Sequence, residues 1–141
     1  MLRIVREPID QHAVEARVRS EKCGGVVTFL GIVRERADDG RPVSGLQYEA
    51  FDAMAVAEFT DIVAEARERF GDVRVAAEHR VGELRVGEIA VAVCVAAAHR
   101  GEAFAACRYA IDELKLRASI WKKELYVDGS GEWKANACKE S

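Results

Sequence analysis

The sequence predicts an α+β fold in which helices pack on a mostly antiparallel β-sheet. The predicted element order is β-α-β-β-α-β-β-α-β, so strands twice follow one another without an intervening helix. The segment IAVAVCVAAAH, residues 89–99, is apolar on both faces and predicts a central strand covered on both sides. Residues 53–70 carry one apolar stripe at helical spacing and an acidic opposite face, which is typical of a helix packed on a sheet.

The first elements follow from short local signals. A short strand in MLRIVREPI ends at Pro8, and Asp10 is expected to cap a helix over residues 10–20. GGVVTFLGIVRE predicts a strand at 25–35, in which Gly31 indicates a β-bulge or a close backbone approach.

The middle of the chain opens with the most loop-like segment, ADDGRPVSG at residues 37–45. A strand at 45–51 follows, and Asp52 is expected to cap the helix at 53–70. Residues 73–81 predict another strand, and residues 82–88 predict a turn.

A helix over residues 102–116 follows the central strand, and its inward-facing side is predicted to carry Phe104, Cys107, Ile111 and Leu114. IWKKELYV is rich in β-branched and aromatic residues and predicts a strand. We expect a chain break at Ala118-Ser119 between the helix and this strand. DGSG predicts a turn, and EWKAN is expected to begin the tail.

Composition limits the classes of protein. The 141 residues fit a single domain, 1–141, with a flexible tail at 137–141. The net charge is −3 and the pI about 5.7, which argues against nucleic-acid binding but allows a small anionic substrate. No apolar run reaches the roughly 18 residues of a membrane span and no secretory core is present, so we expect a cytoplasmic protein without membrane contact.

Four cysteines stand at positions 23, 94, 107 and 138. No two form a CxxC pair, so a zinc site is not expected. A disulfide framework is not expected either, because a chain of this length can build its own core. Cys94 and Cys107 lie in apolar periodic segments and are interpreted as buried thiols, whereas Cys138 is expected to be exposed in the tail.

Candidate chemistry lies in LKLRASIWKKE, residues 114–124, a basic cluster in an acidic chain. It carries Lys115, Arg117, Lys122 and Lys123, and it predicts a pocket for an anion. Two ammonium groups in one pocket lower each other's pKa, which is one way to obtain a lysine that acts as a base or nucleophile. The alternative is that these lysines favour the helix dipole and stay in water.

A second basic pair, His99-Arg100, stands where the central strand passes into the next helix. Backbone N–H groups at a helix start and an arginine fork make a suitable phosphate site. The alternative is a capping pair on the surface. Arg34 could line the same pocket or merely end its strand, and His79 is interpreted as structural. No nucleophile elbow, Walker loop, metalloprotease or dinucleotide motif is present.

Four blocks together resemble the large, catalytic subunit of the molybdopterin synthase family: GGVVTFLGIVR, EHRVGELRVGE, AAAHRGEAFAACRYAIDELKLRASIWKKE and WKAN. The resemblance covers residues 20–136. It implies an α/β-hammerhead fold and a sulfurtransferase of molybdenum cofactor biosynthesis, which converts cyclic pyranopterin monophosphate to molybdopterin. The two sulfurs come from the C-terminal thiocarboxylate of a small ubiquitin-like subunit. Two large subunits form a homodimer at the centre of a heterotetramer, and no cofactor or metal is implied.

The resemblance also implies site residues. Lys115 and Lys122 correspond to the family's two essential lysines, and the anionic substrate is bound by Arg34, His99, Arg100, Lys115, Lys122, Lys123 and Glu124. Phe29 and Ile111 would line the groove for the partner's tail. Lys115 would stabilise the tetrahedral acyl intermediate or shuttle protons, and Lys122 would act as general acid or base.

The chain departs from the family's pattern at three places. Ser119 stands where proline is frequent, and Ile32 replaces a lysine of some relatives. Ala137 and Cys138 follow WKAN where some relatives have a basic residue, which questions a contribution of the tail across the dimer. The main rival hypothesis is a non-catalytic module that binds a ubiquitin-like tail; a phosphate-ester hydrolase is weaker, because no metal-ligand cluster or nucleophile is evident.

Overall fold

The computed structural model describes residues 1–135, which form eight strands and three helices. The predictions for the tail at 137–141, with Ala137 and Cys138, lie outside the described residues. The elements in chain order are β1 Leu2–Val5, α1 Gln11–Ala16, β2 Gly25–Ile32, β3 Val43–Ala50, α2 Asp52–Phe70, β4 Arg74–Arg80, β5 Gly82–Arg85, β6 Ile89–Ala97, α3 Arg100–Arg117, β7 Ile120–Tyr126 and β8 Gly131–Ala135.

The strands form two four-stranded sheets, and helices pack on the first of them. The first sheet has the order β1-β4-β6-β2 and the second has the order β5-β3-β7-β8. The pairing of β1 with β4 is parallel, and the other strand pairs are antiparallel. The predicted α+β class with mostly antiparallel strands is therefore confirmed.

The first sheet is covered on both faces, as the apolar strand at 89–99 predicts. One face of β6 belongs to the main core with α2 and α3, where Val93 and Val95 are fully buried. The other face packs under α1, and there Cys94 and Ala96 meet Val14 in a second apolar cluster. The strand is buried on both sides because its neighbours supply a helical layer above and below it.

Two predicted elements were wrong because short segments became strands by pairing with a neighbouring strand. Residues 82–85 form strand β5 rather than part of a turn, since they pair with β3. Residues 131–135 form strand β8 rather than a tail, since they pair with β7 in a hairpin. The predicted DGSG turn does join β7 to β8: Gly129 has a φ of +90°, and the Asp128 carboxylate accepts hydrogen bonds from Ser130.

Of the two predicted helix caps and the predicted β-bulge, one cap and the bulge are confirmed. Asp10 caps α1 as predicted, with its carboxylate accepting from the backbone N–H groups of residues 12 and 13. The second predicted cap was wrong: Asp52 is already the first helical residue, and Phe51 holds the cap position without a side-chain bond. The β-bulge predicted at Gly31 is confirmed by a register shift after it. A Cβ at Gly31 would lie 2.6 Å from Val91 Cγ1, which explains the glycine.

The predicted break after α3 is confirmed, and it orients the site. The helix ends at Arg117, Ala118 is extended, and β7 starts at Ile120. The backbone N–H of Ser119 donates to the Glu58 carboxylate at 2.8 Å. Proline at this position would lack that donor, so serine adds a bond between the break and α2.

Candidate active site

The structure brings Lys115 and Lys122 to one small pocket, although they lie on different elements. Lys115 is in the last turn of α3, and Lys122 is on β7 beyond the break. The chain reversal at Ala118 turns the two half-buried side chains towards the same space. This basic pocket has a volume of about 100 Å³ and is lined by Ile32, Arg34, Arg36, Val43, Leu46, Tyr48, Lys115, Lys122 and Glu124.

Arg34 reaches the basic pocket from the segment after β2, and it is engaged by an acid of the following loop. Its guanidinium forms a hydrogen bond and ion pair with the Asp38 carboxylate. This bond, followed by the more distant charges of Lys122 and Lys134, holds the pKa of Asp38 below its usual value. Asp38 is therefore the carboxylate with which an anionic substrate at Arg34 would compete.

Alternation along β7 separates the residues of the predicted substrate segment. Lys122 and Glu124 lie on the pocket face, whereas Lys123 points to the opposite face of the sheet. The Lys123 ammonium lies 5.9 Å from the centre of the Trp133 ring on the neighbouring strand. Within a single chain, Lys123 is therefore not a lining residue of the basic pocket.

Arg117 belongs to the same basic segment but is held by acids of its own helix layer. It donates to both oxygens of Glu65 on α2, at 2.6 and 2.9 Å, and to Glu113 at 3.1 Å. These bonds lower the pKa of Glu65 to about 2 and raise the pKa of the guanidinium. Arg117 thus forms an ion pair that links α3 to α2, and its guanidinium does not line the basic pocket.

An apolar groove between β2 and α3 meets the basic pocket at Lys115. It has a volume of about 490 Å³ and is lined by Val27, Thr28, Phe29, Phe104, Cys107, Arg108, Ile111, Asp112 and Lys115. Phe29 and Ile111, the two residues expected to bind the partner's tail, both line it. Phe104 was wrongly expected to face the core, since it is 62% exposed at the groove. The apolar residues at helical spacing on α3 extend from the buried core into this groove. Spacing alone could therefore not distinguish a core residue from a groove residue.

The pair His99-Arg100 does not join the two lysines within one chain. Both residues are exposed at the start of α3, whereas Lys115 lies in its last turn. Fifteen residues of α-helix between Arg100 and Lys115 correspond to roughly 22 Å. The side chain of His99 makes no capping bond, so the proposed surface cap is not formed either. Within one chain, the basic pocket and the His99-Arg100 pair are therefore two separate basic sites.

The sequence interpretation missed a buried aromatic pair beneath the basic pocket. Tyr48 on β3 lies directly opposite Lys122 in the sheet register and lines the pocket. Its ring packs edge-on against His79 of β4, with centroids 4.8 Å apart. His79 is 1% exposed, and its Nδ1 donates to the Arg80 carbonyl oxygen at 2.9 Å, since that oxygen can only accept. The alternating apolar pattern of β4 is the signal that would have placed His79 inside.

Burial lowers the pKa of His79 to about 4, and the positive charge of Lys115 adds to the effect. Unfolding restores the pKa of His79 to its ordinary value near 6.5. Between pH 6.5 and 4, the unfolded chain therefore binds a proton at His79 and the folded chain does not. The contribution of neutral His79 to stability is thus complete above pH 6.5 and is lost as the pH falls towards 4. Between pH 7 and 5 we expect a loss of about 2 kcal/mol in the free energy of unfolding.

This expectation is checked by urea unfolding at a fixed protein concentration between pH 5 and 7. His79→Gln should flatten the dependence on pH, whereas the exposed His12→Gln should leave it unchanged. The window lies above the ordinary pKa of 4.5 of Glu65, so the loss of that ion pair at lower pH does not interfere. An unaltered slope in His79→Gln would show that another group titrates.

Two of the three described cysteines are buried thiols. Cys94 and Cys107 are buried as predicted, and burial raises the pKa of the Cys107 thiol to about 11. Within residues 1–135, no three histidine, cysteine or acidic side chains are grouped to hold a metal ion. No helix in this part of the chain has the length and apolar character needed to cross a membrane.

Comparisons with known proteins place these features in a family. The profile of the MoaE protein matches residues 4–117. The molybdopterin synthase catalytic subunit of Nostoc sp. is 45% identical over 136 residues, which cover 95% of this chain and 82% of that protein. The crystal structure of molybdopterin synthase from Staphylococcus aureus superimposes with a TM-score of 0.87 at 36% identity, covering 93% of this chain and 94% of that one.

A further structure is similar in fold at lower identity. It is the complex of subunits 1 and 2 of molybdopterin-converting factor from Helicobacter pylori, with a TM-score of 0.70 at 22% identity. The likeness covers 90% of this chain and 86% of that one.

Proposed function

The chain belongs to the MoaE protein family, and on that premise we propose that it is the catalytic subunit of a molybdopterin synthase. It transfers two sulfur atoms to cyclic pyranopterin monophosphate and so forms the dithiolene of molybdopterin. Each sulfur arrives as the C-terminal thiocarboxylate of a small ubiquitin-like subunit. The reaction belongs to molybdenum cofactor biosynthesis, and the transfer itself uses no metal.

The observation that carries this proposal is the position of Lys115, which lines both the apolar groove and the basic pocket. The groove is suited to an extended peptide tail, and the basic pocket is suited to a phosphate. An ammonium group at their junction lies where a thiocarboxylate at the end of the tail would meet the pterin. Phe29 and Ile111 supply the apolar contact that holds the tail.

Positive charge is required because two anions must approach each other. The phosphate and the thiocarboxylate repel, and Arg34 and Lys122 with Lys115 offset this repulsion at one place. Sulfur bonds to a pterin carbon as an oxygen leaves that carbon, and the tail is then joined to the pterin through a thioester. Water adds to the thioester carbonyl, the carbon–sulfur bond to the tail breaks, and the tail leaves as a carboxylate.

Two roles follow for the lysines. Lys115 stabilises the oxyanion of the tetrahedral intermediate during hydrolysis of the thioester. Lys122 acts as general acid or base when the cyclic phosphate opens and the oxygen is expelled. Glu124 and Lys122 share the pocket wall, so both contact the bound substrate or the water around it.

We infer that the catalytic subunit works as a homodimer whose sites are completed across the interface. His99 and Arg100 lie roughly 22 Å from Lys115 along α3, too far to bind the same small molecule within one chain. A second copy related by a two-fold axis can bring its own pair to this pocket. One small subunit binds at each end, with its tail in the groove, which makes a heterotetramer.

The rival hypothesis, a non-catalytic module for a ubiquitin-like tail, uses the same groove without turnover. It gives no role to a basic pocket adjoining the end of the groove, and for that reason we favour the enzyme. The free thiols Cys23, Cys94 and Cys107 suit a reducing compartment, so we place the protein in the cytoplasm.

The test is a reconstituted reaction. The chain is incubated with thiocarboxylated small subunit and cyclic pyranopterin monophosphate, and molybdopterin is quantified after conversion to a fluorescent derivative. Product is expected in proportion to the thiocarboxylate supplied, with two equivalents used for each molybdopterin. Binding of both reactants without product would refute the enzyme and support the rival hypothesis.

A further inference from the structure

Two lysines face each other across strands β7 and β8 beside a shared carboxylate. Lys122 and Lys134 are directly opposite in the register, and Glu124 lies two residues beyond Lys122 on the same face of β7. Directly opposed residues of an antiparallel pair have Cβ atoms about 5 Å apart, and diagonal neighbours are within reach of long side chains. Both ammonium groups can therefore reach Glu124.

Glu124 forms its ion pair with Lys134 and not with Lys122. The carboxylate is 5% exposed, and a buried charge needs a partner. Lys134 Nζ lies 2.5 Å from Glu124 Oε1, and the Tyr126 hydroxyl donates to the same oxygen at 3.1 Å. The bond to Glu124 raises the pKa of Lys134, so this cation keeps its proton. Among residues 1–135, Lys122 makes no hydrogen bond or ion pair.

The loop before β3 secures this arrangement. Arg41 donates to the Tyr126 hydroxyl at 2.7 Å, which leaves the hydroxyl hydrogen for Glu124. The same guanidinium donates to Glu132 at 3.1 Å. Glu132 stands opposite Glu124 in the register, and Arg41 supplies it with a cation of its own. Glu132 therefore does not compete for Lys134.

We propose that Lys134 is a positioning residue for catalysis: it neutralises the buried Glu124 carboxylate and so leaves the Lys122 ammonium available to the substrate. The proposal rests on the proposed function, because it presumes that Lys122 takes part in the reaction. If Lys134 were absent, Glu124 would be a buried unpaired charge, and Lys122 is the neighbouring cation on the same strand face. Pairing with Glu124 would withdraw Lys122 from the pocket.

The test is a double-mutant cycle in the reconstituted enzyme with the small subunit and the pterin substrate. Lys134→Met is expected to lower kcat roughly tenfold, because Lys122 becomes bound to Glu124. Lys134→Met in a Glu124→Gln background should cost less than about twofold relative to Glu124→Gln alone, since no carboxylate remains to bind Lys122. Lys134→Arg keeps a cation and should retain at least about half of the activity.

Three results would overturn the proposal: an unchanged kcat in Lys134→Met, an equal loss in the Glu124→Gln background, or a loss in Lys134→Arg as large as in Lys134→Met. The control is Lys22→Met, which removes the same charge from an exposed turn and should not change kcat. Thermal unfolding of each variant distinguishes loss of the fold from displacement of the Lys122 side chain. If Lys134→Met is unstable, Lys134→Arg still provides a test.

A second readout does not depend on catalysis. Reductive methylation of Lys122, followed by peptide mass spectrometry, is expected to slow at least about threefold in Lys134→Met and to recover in the double variant, because a paired ammonium reacts less readily. An unchanged methylation rate would overturn the proposal even if the wild-type chain formed molybdopterin. Conversely, if the wild type formed no product but the methylation rates changed as expected, the proposed function would be refuted and the ion pairing proposed for Lys134 would stand.

Discussion

Replacement of Lys115 by alanine is expected to reduce molybdopterin formation by about 10² to 10⁴-fold, the range for loss of a group that stabilises charge or transfers protons in the transition state. The expectation rests on the position of Lys115 at the junction of the apolar groove and the basic pocket. The side chain is half-buried at the end of α3 and is not part of the main core. The fold should therefore persist.

The measurement compares single-turnover product formation with binding of the small subunit. Binding of the thiocarboxylated tail should change little in Lys115→Ala, because Phe29 and Ile111 remain in the groove. Lys22→Ala is the matched control, since it removes a lysine from an exposed turn. Near wild-type turnover in Lys115→Ala would contradict the assignment of this lysine, whereas loss of binding together with turnover would point to a role in holding the tail.

Mixing two inactive variants is expected to restore activity, because each site needs residues from both copies of the chain. Arg100→Ala removes the basic site at the start of α3, and Lys115→Ala removes the group at its end. In a mixed homodimer, one of the two shared sites then contains both substitutions and the other contains neither. With random exchange of subunits, roughly half of the dimers are mixed and one of their two sites is intact, so about a quarter of wild-type activity should return.

The opposite arrangement gives a different result. If Arg100 and Lys115 served the same site within one chain, every site of a mixed dimer would carry one lesion and no activity would return. The experiment unfolds and refolds the two variants together, and each variant refolded alone is the control. Recovery in the mixture but not in the separate samples supports a site shared across the dimer.

Much of the fold follows from local patterns. The central strand, the stripe of α2, the Asp10 cap, the Gly31 bulge and the break before β7 are confirmed. Each depends on the conformational preference or burial of neighbouring residues, which the sequence displays directly. Strands β5 and β8 were missed because each is short: β5 is stabilised by pairing with the distant strand β3, and β8 by pairing with β7 across the turn.

The candidate site shows the same division. Residue types and spacing indicated an anion pocket around Lys115 and Lys122, and the structure places these two side chains together. Spacing could not reveal that Tyr48 and His79 lie beneath the pocket, or that Lys134 holds Glu124. The first contact joins β3 to β4, which belong to different sheets, and the second depends on the register of the β7–β8 hairpin.

By itself, the sequence determined which segments are buried, the order of the helices and most of the strands, and which segments carry the candidate cations. The tertiary structure decided which of those cations meet. A rigid α3 of 18 residues separates Arg100 from Lys115, and strand alternation sends Lys122 and Lys123 to opposite faces. The physical reason is that periodicity encodes the face a residue occupies within its own element, whereas the packing of elements on one another sets the distances between those faces.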